Sequence, residues 1–189
     1  FRSRIYIYLC RSSSEDLERN ETMASPIISI MNADNTKPVT EWYLGTLRTG
    51  TTSKELEINV WNNKGGSVDV SDLVDVKVTT VDENGVNETS AEEAVRDKWT
   101  QALVYATAPV GADGSKQFVA IGANSYVGVA SNGAAGDDLT NHVIKGTAND
   151  GTVSNSTTNF ANIRVRVVPA LNASKDVHNW RLKIQGYFS

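Results

Sequence analysis

Lys54-Glu55-Leu56-Glu57-Ile58-Asn59-Val60-Trp61, followed at once by Asn62-Asn63-Lys64-Gly65-Gly66, is the stretch that decides the fold. Leu56, Ile58 and Val60 point one way while Glu55, Glu57 and Asn59 point the other, the period of two that a half-buried strand requires. The Asn-Asn-Lys-Gly-Gly that follows is made of residues that adopt positive φ and turn a chain. The same grammar recurs to the C-terminus and predicts an all-β protein, an antiparallel β-sandwich.

Working outward, short strands are expected at about 27–32, 41–48, 73–81, 101–106, 117–121, 126–130, 142–148, 160–168 and 179–188, divided by Gly, Asn and Asp clusters. One short bridging helix is expected over about 90–99. Ser90 suits its N-cap, Glu93 the third helical position and Lys98 the last turn, while Val95 and Trp99 stand four apart on one face. Ile163-Arg164-Val165-Arg166-Val167 and Trp180-Arg181-Leu182-Lys183-Ile184 alternate as cleanly as 54–61 and are expected to pair through the Pro169–Asn179 connection. Asn84-Gly85 and Asn149-Asp150-Gly151 suit tight hairpin corners. The core is assigned to Leu56, Ile58, Val60, Trp61, Val74, Val76, Val78, Ile163, Val165, Val167, Leu182 and Ile184. The Gly/Ala/Ser/Thr/Asn-rich stretch 107–159 supplies exposed loops, and contacts are expected from 62–72, 107–116 and 131–140.

At 189 residues and 20.5 kDa the chain suffices for one well-filled core. Residues 23–189 are read as a single domain. Residues 1–22, ahead of Met23, are read as a leader outside it, either a translated upstream region, since Glu18-Arg19-Asn20-Glu21-Thr22 is encodable by a purine-rich ribosome-binding stretch, or an N-terminal tail. Net charge is −4 with pI near 5.2 and no clustered Arg/Lys run, which argues against a nucleic-acid partner. No run approaches the roughly 20 apolar residues that span a bilayer, so membrane insertion is not expected. Cys10 is the single cysteine, which leaves stability to burial and strand pairing and fits synthesis in a reducing cytoplasm.

Few residues suit chemistry. The two histidines, His142 and His178, have Ser125 or Ser154 as conceivable partners, but no nucleophile-elbow spacing surrounds a serine, and no enzyme activity, catalytic residue or cofactor is expected. Asp69, Ser71, Asp72 and Asp75, with the turn Asp82-Glu83-Asn84-Gly85, are oxygen-rich enough for calcium, yet they lack the spacing of a helix–loop–helix calcium loop and read as capping or solvated groups. No metal is expected. Trp61, Trp99 and Trp180 fall at apolar positions and are assigned to the core, whereas Trp42 is expected to be exposed and, with Tyr43 and Tyr126, to offer a platform for a host-surface glycan. The sequons at Asn20, Asn87, Asn155 and Asn172 arise readily by chance in so Asn/Ser/Thr-rich a chain.

Several segments resemble small structural proteins encoded in the tail and baseplate regions of bacteriophages and prophages of Gram-positive bacteria. They are Val39-Thr40-Glu41-Trp42-Tyr43-Leu44-Gly45-Thr46, Glu57 to Gly66, Val70-Ser71-Asp72-Leu73, Ile144 to Gly151, Asn159-Phe160-Ala161 and Val167-Val168-Pro169-Ala170. The resemblance covers nearly all of 24–189. It implies an Ig-like sandwich, a virion location in the tail, baseplate or fibre apparatus, other virion proteins as partners and many copies forming a homo-oligomer in the particle. A carbohydrate-binding module for a cell-wall polymer and a head decoration protein are the alternative readings.

Overall fold

A computed structural model describes residues 24–188 in full and the backbone of residues 2–13. In chain order the elements are β1 (Arg2–Ser13), β2 (Ile28–Asn32), β3 (Glu41–Thr46), β4 (Leu56–Asn62), β5 (Leu73–Asp82), α1 (Glu93–Arg96), β6 (Thr100–Val104), β7 (Val119–Ile121), β8 (Val127–Gly128), α2 (Asp137–Thr140), β9 (Phe160–Val167) and β10 (His178–Phe188). They form two five-stranded sheets, ordered β3-β1-β10-β5-β8 and β2-β4-β9-β6-β7. The fold is the all-β sandwich expected. One core holds Ile58, Val60, Ala102, Val104, Ile163, Val165 and Val167 from the second sheet against Val76, Val78, Trp180, Leu182 and Ile184 from the first. Burying such side chains fully is worth about 1.5–3 kcal/mol each, and in a chain with one cysteine this burial is the main favourable term.

Residues 2–13, expected above to lie outside the domain, instead run as β1 inside the first sheet. This strand pairs in parallel with β10 from Ser3–His178 to Ser13–Phe188 and antiparallel with β3. In that register Ile5, Ile7 and Leu9 stand opposite Trp180, Leu182 and Ile184. Residue 1 and residues 14–22, the rest of the expected leader, lie outside the described residues, as does Met23. Among the described residues the β1–β10 pair is the one parallel ladder, the others being antiparallel.

The expected pairing of 163–167 with 180–184 is not formed. β9 lies between β4 and β6, and β10 lies between β1 and β5, so the two strands face each other across the core from different sheets. Alternation fixes which side chains face inward; it does not choose the neighbour. The stretch 142–148 is not a strand either and meets β5 only through the Ile144–Leu73 bridge and the Val76 amide, which donates to the His142 carbonyl. Asn84-Gly85 and Asn149-Asp150-Gly151 do turn the chain, with Gly85 and Gly151 at positive φ, but neither joins two paired strands.

Three assigned core residues sit differently from expectation. Leu56 is half-buried at the rim of the core. Val74 is displaced by a bulge: Val74 pairs with Tyr187 and Lys77 with Gln185, which leaves Asp75 and Val76 opposite Gly186. Asp75 takes φ 48° there, and the extra residue reverses the alternation, turning Leu73 and Val76 inward and Val74 out. Trp61 is fully buried, but on the face opposite Ile58 and Val60. It stacks on Phe160 with ring centroids 4.7 Å apart and donates through Nε1 to Asn35 Oδ1 at 2.6 Å, under the turn that follows β2.

The bridging helix is shorter than expected, one turn from Glu93 to Arg96. Its N-cap is Glu92, whose carboxylate accepts from the Ala94 amide, rather than Ser90. Ser90 instead donates to Asp82 Oδ2 and accepts from the Glu92 amide. Val95 and Trp99 are buried as expected.

Candidate functional site

At one end of the sandwich the turn after β4, the strand-entry segment 68–72 and the segment 144–151 are bound together by side-chain amides. Asn62 Nδ2 donates to the Ser71 and Ile144 carbonyls at 2.9 and 3.3 Å, and Asn63 Nδ2 donates to Val68 and Gly146 carbonyls, both at 2.8 Å. Asn149 Nδ2 donates to the Asn63 carbonyl at 2.7 Å while its Oδ1 accepts from the Gly65 amide at 2.9 Å. Asn159 Nδ2 reaches the Lys145 and Thr147 carbonyls at 3.1 and 2.8 Å. Primary amides suit this corner because each offers two donors and an acceptor to loop backbone that no ladder satisfies. Gly146 is required by closeness: a Cβ there would lie 2.2 Å from the Val70 carbonyl oxygen.

The acidic residues weighed as calcium ligands are engaged in the same work. Asp69 accepts from the Ala148 amide, Asp72 from the Gly146 amide and Lys145 Nζ, and Asp75 from Lys77 Nζ. Asp82 Oδ1 accepts from the Asn84 and Val86 amides, closing its own turn. Lys145 also meets Asp138 at 3.0 Å, and the Asp138 hydrogen bond, with that of Asp72, holds its ammonium above the ordinary lysine range against the opposing effect of burial. Asp150 lies well below the ordinary carboxylate range because Asn155, Thr152 and Ser156 all donate to it. Among the described residues, no three His, Cys, Asp or Glu side chains form a group suited to holding a metal.

Trp42, Tyr43 and Tyr126 are not brought together. Trp42 is half-buried and packs on the core, because Trp42 and Tyr43 are successive residues of β3 and face opposite ways. Tyr43 and Tyr126 are both exposed, at 55% and 58%, but β3 and β8 are the two edges of a five-stranded sheet. Four strand spacings, about 19 Å, separate them. Tyr126 lies in a groove of about 370 Å³ shared with Lys77, Thr79, Asn87, Asn124, Lys183 and Gln185. Lys77 Nζ stands 4.9 Å from its ring centroid.

His142 and His178 do not meet Ser125 or Ser154. Ser125 bonds instead to the Ala120 carbonyl and Ser154 to Thr152. His142 lies against Gly128, where a Cβ would come within 2.1 Å of its Nε2. His178 is 5% exposed and joins three elements: Nδ1 is 2.7 Å from Glu92 Oε1, Nε2 is 3.2 Å from Ser174 Oγ, and the ring meets the edge of Trp99 at 4.7 Å. Glu93 Oε2 accepts from the Ser174 amide at 2.9 Å. Ser174 and Glu92 escaped the sequence reading. Ser174 and His178 are 4 positions apart in the sequence, but Glu92 and His178 are 86 apart, and no local spacing signals that meeting.

No family model matches the chain, and no curated protein matches it. Among solved structures, the chain is similar to a family 123 glycoside hydrolase from Clostridium perfringens studied for glycolipid glycan hydrolysis, at 9% identity and a TM-score of 0.31. The likeness covers 87% of this chain, which spans only 27% of that protein's length. At that level it carries no weight for fold or chemistry.

Proposed function

We propose that this chain is a structural protein of a bacteriophage or prophage particle, built into the tail, baseplate or fibre apparatus by protein–protein contact. The observation that carries the reading is the edge strand β3, which coincides with the first segment of the family resemblance, 39–46. Among the described residues β3 pairs on one side only, with β1, through a ladder bulged once between Tyr43 and Gly45, and at six residues it is the longest edge strand. The other edges are blunted: β7 and β8 are three and two residues long, and the chain after β2 folds back on it through Val39–Ile30 and Asn32–Lys37 backbone bonds. A protein made to remain monomeric blunts its edges, whereas an open strand accepts an added strand from a neighbour. Four of the other resemblance segments, 57–66, 70–73, 144–151 and 159–161, meet at the amide-bonded corner, where they rigidify loops, which suits a part that must present one shape in many copies. Immunogold labelling of purified particles tests the assignment. Label on the tail or baseplate is expected, label confined to heads favours head decoration, and particles that never carry label refute a virion role.

A second reading, glycan binding, is favoured by the Tyr126 groove, which offers one aromatic face beside amides and lysines. Pull-down on purified host cell wall, with Tyr126→Ala as the control, separates it from a pure scaffold. Binding lost with the ring supports it; no binding by the parent protein refutes it.

A further inference from the structure

We propose that Ser174 is a nucleophile, activated by His178 and oriented through Glu92, in a site for carboxylic esters that is independent of the assembly role. The three side chains come from two segments, the 170–178 connection and the start of α1, and they meet atom for atom as acyl transfer requires. A carboxylate only accepts, so the 2.7 Å contact of Glu92 Oε1 with His178 Nδ1 places the imidazole proton on Nδ1. In the neutral ring Nε2 is then the acceptor, 3.2 Å from Ser174 Oγ, and Glu93 Oε2 lies 3.9 Å from the same nitrogen. This is a nucleophile, a base and an orienting acid in hydrogen-bond sequence. Trp99 packs edge-on against the imidazole and fixes its plane. The Ser174 amide is bonded to Glu93, which holds the serine backbone in place. Among the described residues the next amide, that of Lys175, donates no hydrogen bond, and the amide following a nucleophile is a usual oxyanion donor.

The neighbours of Ser174 open onto a cleft. Ala173 and Lys175 line a concavity of about 630 Å³ with Leu47, Leu171 and Thr51, and Leu171 is 84% exposed. The cleft also holds Arg48 and Thr49, and its Leu47, Leu171 and Ala173 side chains suit an ester with a small aliphatic acyl group. In the first step His178 Nε2 takes the Ser174 hydroxyl proton as Oγ bonds to the acyl carbon. The alcohol leaves with that proton, giving an acyl-serine. Water then adds to the acyl carbon, its proton passing through His178 to Oγ as the ester bond to Ser174 breaks, and the free acid departs.

Incubation of the full-length folded protein with an alkyl fluorophosphonate, followed by peptide mapping, tests the proposal. A single adduct on Ser174 is expected, and none on Ser174→Ala. His178→Gln is expected to slow labelling at least tenfold. Glu92 is a positioning residue, so Glu92→Gln is expected to shift the pH profile of labelling, a readout that a merely structural contact would not move. Hydrolysis of 4-nitrophenyl butyrate above the Ser174→Ala background is the accompanying activity. No adduct on the folded parent protein, an adduct on another serine, or equal labelling of parent and His178→Gln overturns the proposal and leaves the three residues as a latch between the 170–178 connection and α1.

Discussion

Replacing Asn63 perturbs the amide-bonded corner at its most loaded point. Asn63 is 2% exposed, has φ 60°, and donates to the Val68 and Gly146 carbonyls at 2.8 Å and to Thr147 at 3.2 Å. Asn63→Ala removes both donors and leaves those carbonyls short of partners, at about 1 kcal/mol each. Alanine must also enter the left-handed region that asparagine tolerates, which costs about 1 kcal/mol more. The expected loss is about 3 kcal/mol, or roughly 6–12 °C in Tm for a chain of this size. Asn63→Gly removes the same donors without the strain and is expected to be about 1 kcal/mol more stable than Asn63→Ala, the reverse of their order in an ordinary strand. Urea unfolding with unchanged m-values measures both. An alanine variant within 1 kcal/mol of the parent would refute the role of the amide, and a glycine variant no better than alanine would refute the backbone contribution.

Gly128→Ala drives a Cβ into His142 Nε2 and is expected to cost about 1–3 kcal/mol, with much of the loss recovered in the Gly128→Ala/His142→Ala double variant; additive losses in denaturant unfolding would contradict the packing described. Lys145 has its pKa raised by Asp138 and Asp72, so its contribution is fully present below the ordinary lysine value of 10.5 and is lost as pH rises through the higher folded value. Lys145→Met is therefore expected to flatten the decline of Tm above about pH 10, and an unchanged alkaline slope would count against the ion pairs. Deleting residues 1–13 strips β10 of its parallel partner and detaches β3 from the sheet, so the truncated chain is expected to aggregate or to melt at least roughly 10 °C lower. A truncated chain that is soluble and melts with the full-length protein would remove β1 from the fold.

The strands were legible wherever side chains alternate over five or more residues. β4, β5, β9 and β10 fall within a residue or two of their expected limits because alternation is a local property of a half-buried strand. The same period misled where something non-local intervened. The bulge at Asp75 reversed the phase of Val74, and Trp61, apolar and adjacent to Val60, was bound to the opposite face, where the turn after β2 buries it. Residues 142–148 carry enough apolar side chains to read as a strand, but their polar backbone groups are met by scattered backbone partners and by Asn63, Asp69, Asp72 and Asn159 rather than by a continuous ladder. Of the expected platform, the exposure of Tyr43 and Tyr126 was readable and their separation was not, since sheet order sets it. The His178 cluster had no sequence signal beyond the histidine itself.

By itself the sequence determined the class of this protein: an apolar side chain at every second position must leave water on one face, and two such faces close on each other. Only the tertiary structure decided which strands became neighbours, that residues 2–13 enter the first sheet, which edge stays open, and that Glu92, Ser174 and His178 meet. Those outcomes depend on contacts between residues far apart in the chain, whose closure competes across the whole molecule, and periodicity within a single strand carries no record of the result.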